Sequence, residues 1–167
     1  MDKRFSHAGA NPVEPVAAPR RVFDVVFARD DASGAATPRA EAQRILIVED
    51  DYLVALQMET ALTQAGFDVA GIASSADEAL ALAAAERPAL AVVDIRLAGK
   101  RDGIDTAIEL YARHGIRCVF ASAHHGPDAR ERAAPAHPLA WVAKPYTTHA
   151  LVDVVRQALR TLHSPKG

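Results

Sequence analysis

Cysteine is almost missing from this chain: Cys118 stands alone among 167 residues. A single thiol excludes an internal disulfide framework and suits a reducing, cytoplasmic compartment. Aromatic residues make up only 5% of the chain, so bulky ring packing cannot be the main source of its core. No apolar run approaches the ~20 residues of a membrane span. Residues 1–11 lack an apolar signal-peptide core, which argues against secretion. Neither sign of charge dominates: 19 basic and 21 acidic residues leave a formal net charge of −2. Nothing in that balance points to nucleic-acid binding. What is abundant is alanine, with 36 residues, in a chain that is 50% apolar and 24% charged. This predicts one globular domain of ordinary size, helix-rich, with a core of small residues.

Residues 1–43 read differently from the rest. Pro12, Pro15, Pro19 and Pro38 punctuate them, and no helical or strand period is sustained, so a flexible extension is expected. One stretch within it, Arg21-Val22-Phe23-Asp24-Val25-Val26-Phe27, has β propensity. It reads equally as an added strand, a docking segment, or a transiently sticky piece of a disordered tail.

From Arg44 the pattern becomes regular. Ile45 to Val48 is a continuous apolar run, as in a strand buried on both faces. A helix follows, with Val54, Met58, Ala61, Leu62 and Ala65 on one stripe, Asp51 as its N-cap and Gly66 ending it. Phe67 to Ile72 predicts a second strand. Ser75-Ala76-Asp77-Glu78 is a capping box opening a helix that stops before Pro88. Ala89 to Asp94 predicts a third strand, the stripe Ile104, Ala107, Ile108 and Tyr111 a third helix closed near Gly115, Arg117 to Ala121 a fourth strand, and Leu139 to Ala143 a fifth. Between the last two strands, Asp128 to Ala134 predicts a short, poorly anchored helix whose only apolar residues are alanines. The final helix carries Leu151, Val154, Val155, Ala158, Leu159 and Leu162 on one face. Strands alternating with helices predict an α/β fold: a flavodoxin-like (βα)5 doubly wound parallel sheet in strand order 2-1-3-4-5. The domain is expected over residues 44–163, with 164–167 a short tail.

In such a sheet the ligand site lies beyond the carboxyl ends of the strands. Those ends carry Glu49, Asp50 and Asp51 after the first strand, Asp94 after the third, Ser122 after the fourth, and Lys144-Pro145 after the fifth. Acidic residues at single strand ends often only meet solvent or cap the next helix, as Asp51 is expected to do. Several on one edge repel one another unless a cation is shared. Carboxylates without a Cys/His set suit Mg2+ better than Zn2+. A cation, a lysine and a hydroxyl around one carboxylate are what phosphoryl transfer to that carboxylate requires.

These residues resemble the signature of two-component response-regulator receiver domains, over roughly Arg44 to His163. The matching motifs are Ile-Leu-Ile-Val-Glu-Asp-Asp (45–51), Val-Val-Asp-Ile-Arg-Leu (92–97) followed by Asp-Gly-Ile-Asp (102–105), Phe-Ala-Ser-Ala (120–123) and Lys-Pro-Tyr (144–146). The resemblance implies that Asp94 accepts a phosphoryl group from the phosphohistidine of a sensor histidine kinase or phosphotransfer protein. It implies that Asp50 ligates Mg2+ directly beside Asp94, that Glu49 holds the ion through water, and that the Arg96 carbonyl completes the protein ligands. Lys144 would pair with the phosphoryl oxygens. Ser122 would hydrogen-bond them after phosphorylation, drawing in the loop that follows the fourth strand. Trp141 occupies the place of a switch aromatic that is usually Tyr or Phe, and the Lys144–Pro145 bond is expected in cis. The run from Phe120 partly resembles a subgroup reading Phe-Ala-Thr-Gly-Tyr, found in single-domain and stress-signalling regulators of alphaproteobacteria; Ala123 and His124 depart from it.

Only Ser164 to Gly167 follow the final helix, so the expectation is a stand-alone receiver. It would signal through a downstream protein on the helix 4–strand 5–helix 5 face or through its extension, without an output enzyme, nucleic acid or membrane. A competing reading is a flavodoxin-like phosphohydrolase or mutase using Asp94 as a transient phosphoaspartate. That would want a cap insertion and a second acid/base carboxylate, and the connections are too short for a cap. A third reading is a binding module that is never phosphorylated, but such a scaffold would not need Asp50, Asp94 and Lys144 together. His124 and His125, being adjacent, point to different sides and would chelate poorly. Cys118 is expected in the core. Lys100 and Arg101 would either attract a phosphoryl donor or simply be solvated. The resemblance also implies that Arg96 and His124 flank the line of a hydrolytic water. Neither is an acid or amide, so a long-lived phosphoaspartate is expected.

Overall fold

The computed structural model describes residues 43–123 and 126–163. The expectations placed on residues 1–42, on His124 and His125, and on the tail 164–167 lie outside the described residues.

The apolar runs form five parallel strands: β1 (Arg44–Val48), β2 (Asp68–Ala73), β3 (Leu90–Val93), β4 (Arg117–Ser122) and β5 (Ala140–Ala143), in the order β2-β1-β3-β4-β5. The helices are α1 (Tyr52–Gln64), α2 (Ala76–Glu86), α3 (Gly103–His114), α4 (Pro127–Ala133) and α5 (Thr148–His163), with a 3-10 turn at Ala134–Ala136 after α4. No helix among the described residues is long and apolar enough to cross a membrane.

Strand alternation divides the core into two layers. Leu46, Val48, Ala91, Val93, Cys118 and Phe120 face α2, α3 and the α4 region. Ile45, Ile47, Leu90, Val92, Val119, Ala121 and Val142 face α1 and α5. Because both faces of β1 and β3 are covered, they are apolar from Ile45 to Val48 and from Leu90 to Val93, which is why they read as continuous runs. Cys118 is buried in the first layer, and desolvation pushes its thiol up to about 12. It is an inert packing residue at neutral pH.

Local chemistry fixes the helix ends. Asp51 Oδ1 accepts from Leu53 N and Val54 N, at 2.9 and 3.2 Å, and caps α1. Gly115, at φ +68°, closes α3 in the left-handed conformation that a residue with a Cβ resists. The box at α2 is offset by one residue. Ser75 Oγ accepts from Glu78 N, but the Glu78 carboxylate returns to Ser74 N and Oγ, both at 2.8 Å. That bonding holds Glu78 below the ordinary carboxylate range. β2 starts one residue later than its pattern suggested, since Phe67 packs on the α1/α5 layer with the Arg156 guanidinium 5.9 Å from its ring centre.

The expectation that α4 is poorly anchored is wrong. Ala133 and Ala136 are fully buried. Arg132 reaches both carboxylate oxygens of Asp102 and one of Asp105, at 2.6 to 2.8 Å, and Arg130 lies over the Trp141 ring at 5.0 Å. Two arginines do the anchoring that a longer helix would achieve with leucines. Arg101 is also structural: it pairs with Asp77 at the start of α2 and with Glu109 of α3.

Candidate functional site

The sheet ladder continues one residue past its strands at the carboxyl edge. Glu49 N donates to Ala73 O, Asp94 N to Val48 O, and Lys144 N to Ser122 O, at 2.9, 2.9 and 3.2 Å. These bonds carry the pleat beyond the strands. Counting along each strand, Glu49 continues the row of Ile45 and Ile47, Asp94 that of Leu90 and Val92, and Lys144 that of Val142, all in the α1/α5 layer. Three residues from three strands therefore meet on one side of the sheet.

Their geometry is compact. Lys144 Nζ donates to Glu49 Oε2 and to Asp94 Oδ2, both at 2.7 Å. Asp94 Oδ1 accepts from the Arg96 backbone N at 3.1 Å. Glu49 is 3% exposed and Asp94 7%, whereas the Lys144 side chain keeps 24% of its surface. Burial holds the Glu49 carboxyl above the ordinary glutamate range, with the Lys144 bond only partly opposing it. Desolvation works against the Lys144 ammonium as well, but its bonds to the two carboxylates prevail and raise it. Both directions describe one dry site where two acids share one cation.

The remaining expected site residues are nearby but differently used. Asp50 is exposed, and its Oδ2 accepts from Ala98 N at 3.1 Å, linking the loop after β1 to the loop after β3. Ser122 is buried at the end of β4, in the row of Cys118 and Phe120, on the opposite pleat from Lys144. Arg96 is exposed. Among the described residues no three His, Cys, Asp or Glu side chains are gathered into a metal cage. Of the expected carboxylate ligands, Glu49 and Asp94 are thus brought together, while Asp50 is not gathered with them into a cage. Lys144 takes the place between Glu49 and Asp94, and Asp50 is turned to Ala98. The donor chemistry nonetheless fits a hard divalent cation: three carboxylates against one ammonium leave the edge with excess negative charge.

Two features went unread in the sequence. Tyr146, part of the Lys-Pro-Tyr motif, has a buried hydroxyl with no hydrogen-bond partner among the described residues, and desolvation raises it to about 12. Gly103 opens α3 directly against the phosphoacceptor candidate's own backbone: its N donates to Ile95 O at 2.8 Å, and a Cβ there would lie 1.8 Å from Asp94 O. The Lys144–Pro145 peptide is cis. Trp141 packs on Phe120 with ring centres 4.6 Å apart.

A family model described as the response regulator receiver domain matches residues 45–156. The chain belongs to that family. It is similar to the transcriptional regulatory protein PdtaR of Mycobacterium tuberculosis, 32% identical over 125 residues, covering 75% of this chain and 58% of that protein. It is likewise similar to the phyllosphere-induced regulator PhyR of Methylorubrum extorquens, 31% identical over 139 residues, covering 81% of this chain and 51% of that one. The chain therefore spans a little over half the length of these curated relatives. Among solved structures, the receiver domain of the Erythrobacter litoralis PhyR response regulator matches with a TM-score of 0.65 at 28% identity, covering 75% of this chain and 96% of that one. That likeness supports the subgroup suggested by the run from Phe120. This receiver has no large insertion among its described elements; its β3–α3 connection runs only from Asp94 to Asp102, and nothing favours the phosphohydrolase reading.

Proposed function

We propose that this receiver accepts a phosphoryl group on Asp94 from the phosphohistidine of a sensor histidine kinase or phosphotransfer protein in the cytoplasm. It then signals through contacts with another protein on its α4–β5–α5 face. The observation that carries the reading is the Lys144 ammonium held 2.7 Å from both Asp94 and Glu49 at the carboxyl edge of the sheet. An Asp94 carboxylate oxygen attacks phosphorus, the phosphorus–nitrogen bond breaks, and its electron pair stays on the imidazole, which leaves neutral when its other ring nitrogen already carries a proton. Asp94 is kept in place by the Arg96 N–H on one oxygen and Lys144 on the other. Lys144, a mobile point charge on a flexible stem, is placed to follow the incoming phosphoryl oxygens. Ser122, on the opposite pleat in this arrangement, would donate its hydroxyl to them after phosphorylation, as the loop that follows β4 is drawn in. Mg2+ would be held by Asp50 and Asp94, by Glu49 through water, and by the Arg96 carbonyl; when bound it neutralises the carboxylates and the phosphoryl charge. Neither Arg96, two residues after Asp94 in sequence, nor His124, two residues after Ser122, is an acid or amide that could orient a water, which favours a long-lived phosphoaspartate.

The test is incubation with Mg2+ and acetyl phosphate, read by intact mass. One phosphoryl group should appear on the wild type and none on Asp94→Asn. An unlabelled wild type, or full labelling of Asp94→Asn, would overturn the assignment.

A further inference from the structure

α4 is a helix of seven residues with no side-chain cap at its start and one buried residue, Ala133. Its position is set by what its arginines grip. Arg132 Nη1 donates to Asp102 Oδ2 at 2.6 Å, and Nη2 donates to Asp102 Oδ1 and Asp105 Oδ1, both at 2.8 Å. Asp102 is not an ordinary surface acid. Its Oδ1 also caps α3, accepting from Ile104 N at 2.9 Å and Asp105 N at 3.0 Å. Burial would raise its carboxyl, but the Arg132 guanidinium and the cap bonds outweigh that and hold it below the ordinary range. The next residue, Gly103, is pressed against the Asp94 carbonyl so closely that no Cβ fits. Asp102 is thus in fixed register with Asp94, and Arg132 holds α4 to that register.

At its other end α4 starts only five residues after Ser122, at Pro127. A pull on that short connection acts directly on α4, against the grip of Arg132. The grip belongs to the arrangement in which Lys144 still bridges Glu49 and Asp94. We propose that Arg132 is a positioning residue: its fork on Asp102 and Asp105 latches α4 to the phosphoacceptor loop and so opposes the phosphorylated arrangement. This rests on Asp94 being the phosphoacceptor. Linkage gives the latch a sign that a plain structural brace lacks. Whatever holds the resting arrangement slows phosphorylation, and its removal speeds it.

The experiment uses the full chain, Mg2+ and acetyl phosphate, with the labelling rate read by intact mass. Arg132→Ala should label faster than wild type, by about two- to fivefold, the range open to a half-exposed ion pair. Arg132→Lys keeps the charge but cannot fork, so it should fall between them. Trp141 reports on α4 because Arg130 stacks over it. Its emission in unlabelled Arg132→Ala should shift toward that of phosphorylated wild type. Should Arg132→Ala fold poorly, Asp105→Asn removes one leg of the fork and should accelerate labelling in the same direction by less. Rising salt should narrow the gap between Arg132→Ala and the wild type, because it screens the ion pairs that only the wild type has. A variant rate equal to or below that of wild type would overturn the latch. Failure of the wild type to label at all would overturn the phosphoacceptor reading, and the latch with it.

Discussion

Replacing Lys144 by Met keeps most of the stem and removes the charge, which isolates the electrostatics of the site. In the wild type the Glu49 side chain is 2% exposed, and Lys144 is its one charged partner at hydrogen-bond distance among the described residues, the Asp51 N–H standing 3.4 Å away. Without Lys144 the site holds two buried carboxylates side by side. Glu49 can escape by taking up a proton, and that sets a ceiling on the cost. Protonating a glutamate with an ordinary value of about 4.3 at pH 7 costs about 2.7 units at ~1.4 kcal/mol each, or about 3.7 kcal/mol. Losing the desolvation cost of the ammonium returns part of this, so about 1–3 kcal/mol is expected. At pH 5 the same ceiling drops to about 1 kcal/mol.

The sign follows from Glu49 being raised in the fold. Such a group loses stability for the protein as pH rises from its unfolded value to its folded one, and removing Lys144 moves the folded value further up. The raised Lys144 keeps its own contribution throughout neutral pH and loses it only above the ordinary lysine range. The assay is urea unfolding followed by Trp141 fluorescence, with a chelator present, at pH 5 and pH 7, the midpoint and slope converted to free energy. An equal loss of stability at the two pH values would refute the reasoning, because packing alone carries no such dependence.

Gly103→Ala should destabilise by about 3 kcal/mol or more, since the new Cβ meets backbone that no rotamer change can clear; a melting midpoint within a few degrees of wild type would contradict that approach to Asp94. Tyr146→Phe removes a buried hydroxyl with no partner among the described residues and should be neutral or stabilising by up to about 1 kcal/mol. A clear loss in urea unfolding would mean the hydroxyl is bonded in solution. Deleting residues 1–40 should leave the melting midpoint and acetyl phosphate labelling unchanged, because the first core residue among those described is Ile45 and residues 1–40 sustain no helical or strand period; a large drop would place part of that segment in the folded unit.

Much of this receiver is determined by neighbours in sequence. A stretch of strand buried on both faces must be apolar throughout, so Ile45 to Val48 of β1 and Leu90 to Val93 of β3 announce themselves. A helix start needs an acceptor for orphan N–H groups, so Asp51 and Ser75 mark α1 and α2, and a left-handed exit favours the Gly115 that ends α3. Strand ends in a parallel α/β sheet share one edge, which is enough to bring Glu49, Asp50, Asp94, Ser122 and Lys144 into one shortlist. Composition could not say how that shortlist is divided. The pleat puts Lys144 with Glu49 and Asp94, and Ser122 on the other face, and Asp50 is turned to Ala98. The ion pairs are beyond local reading for the same reason. Arg132 finds Asp102 thirty residues away, and Arg101 finds Asp77 twenty-four residues away, because the strand order seats α3 beside α4 and α2. Periods and caps act within a few residues and are written in the chain. Which charges meet depends on which elements the sheet places side by side, and only the folded sheet decides that.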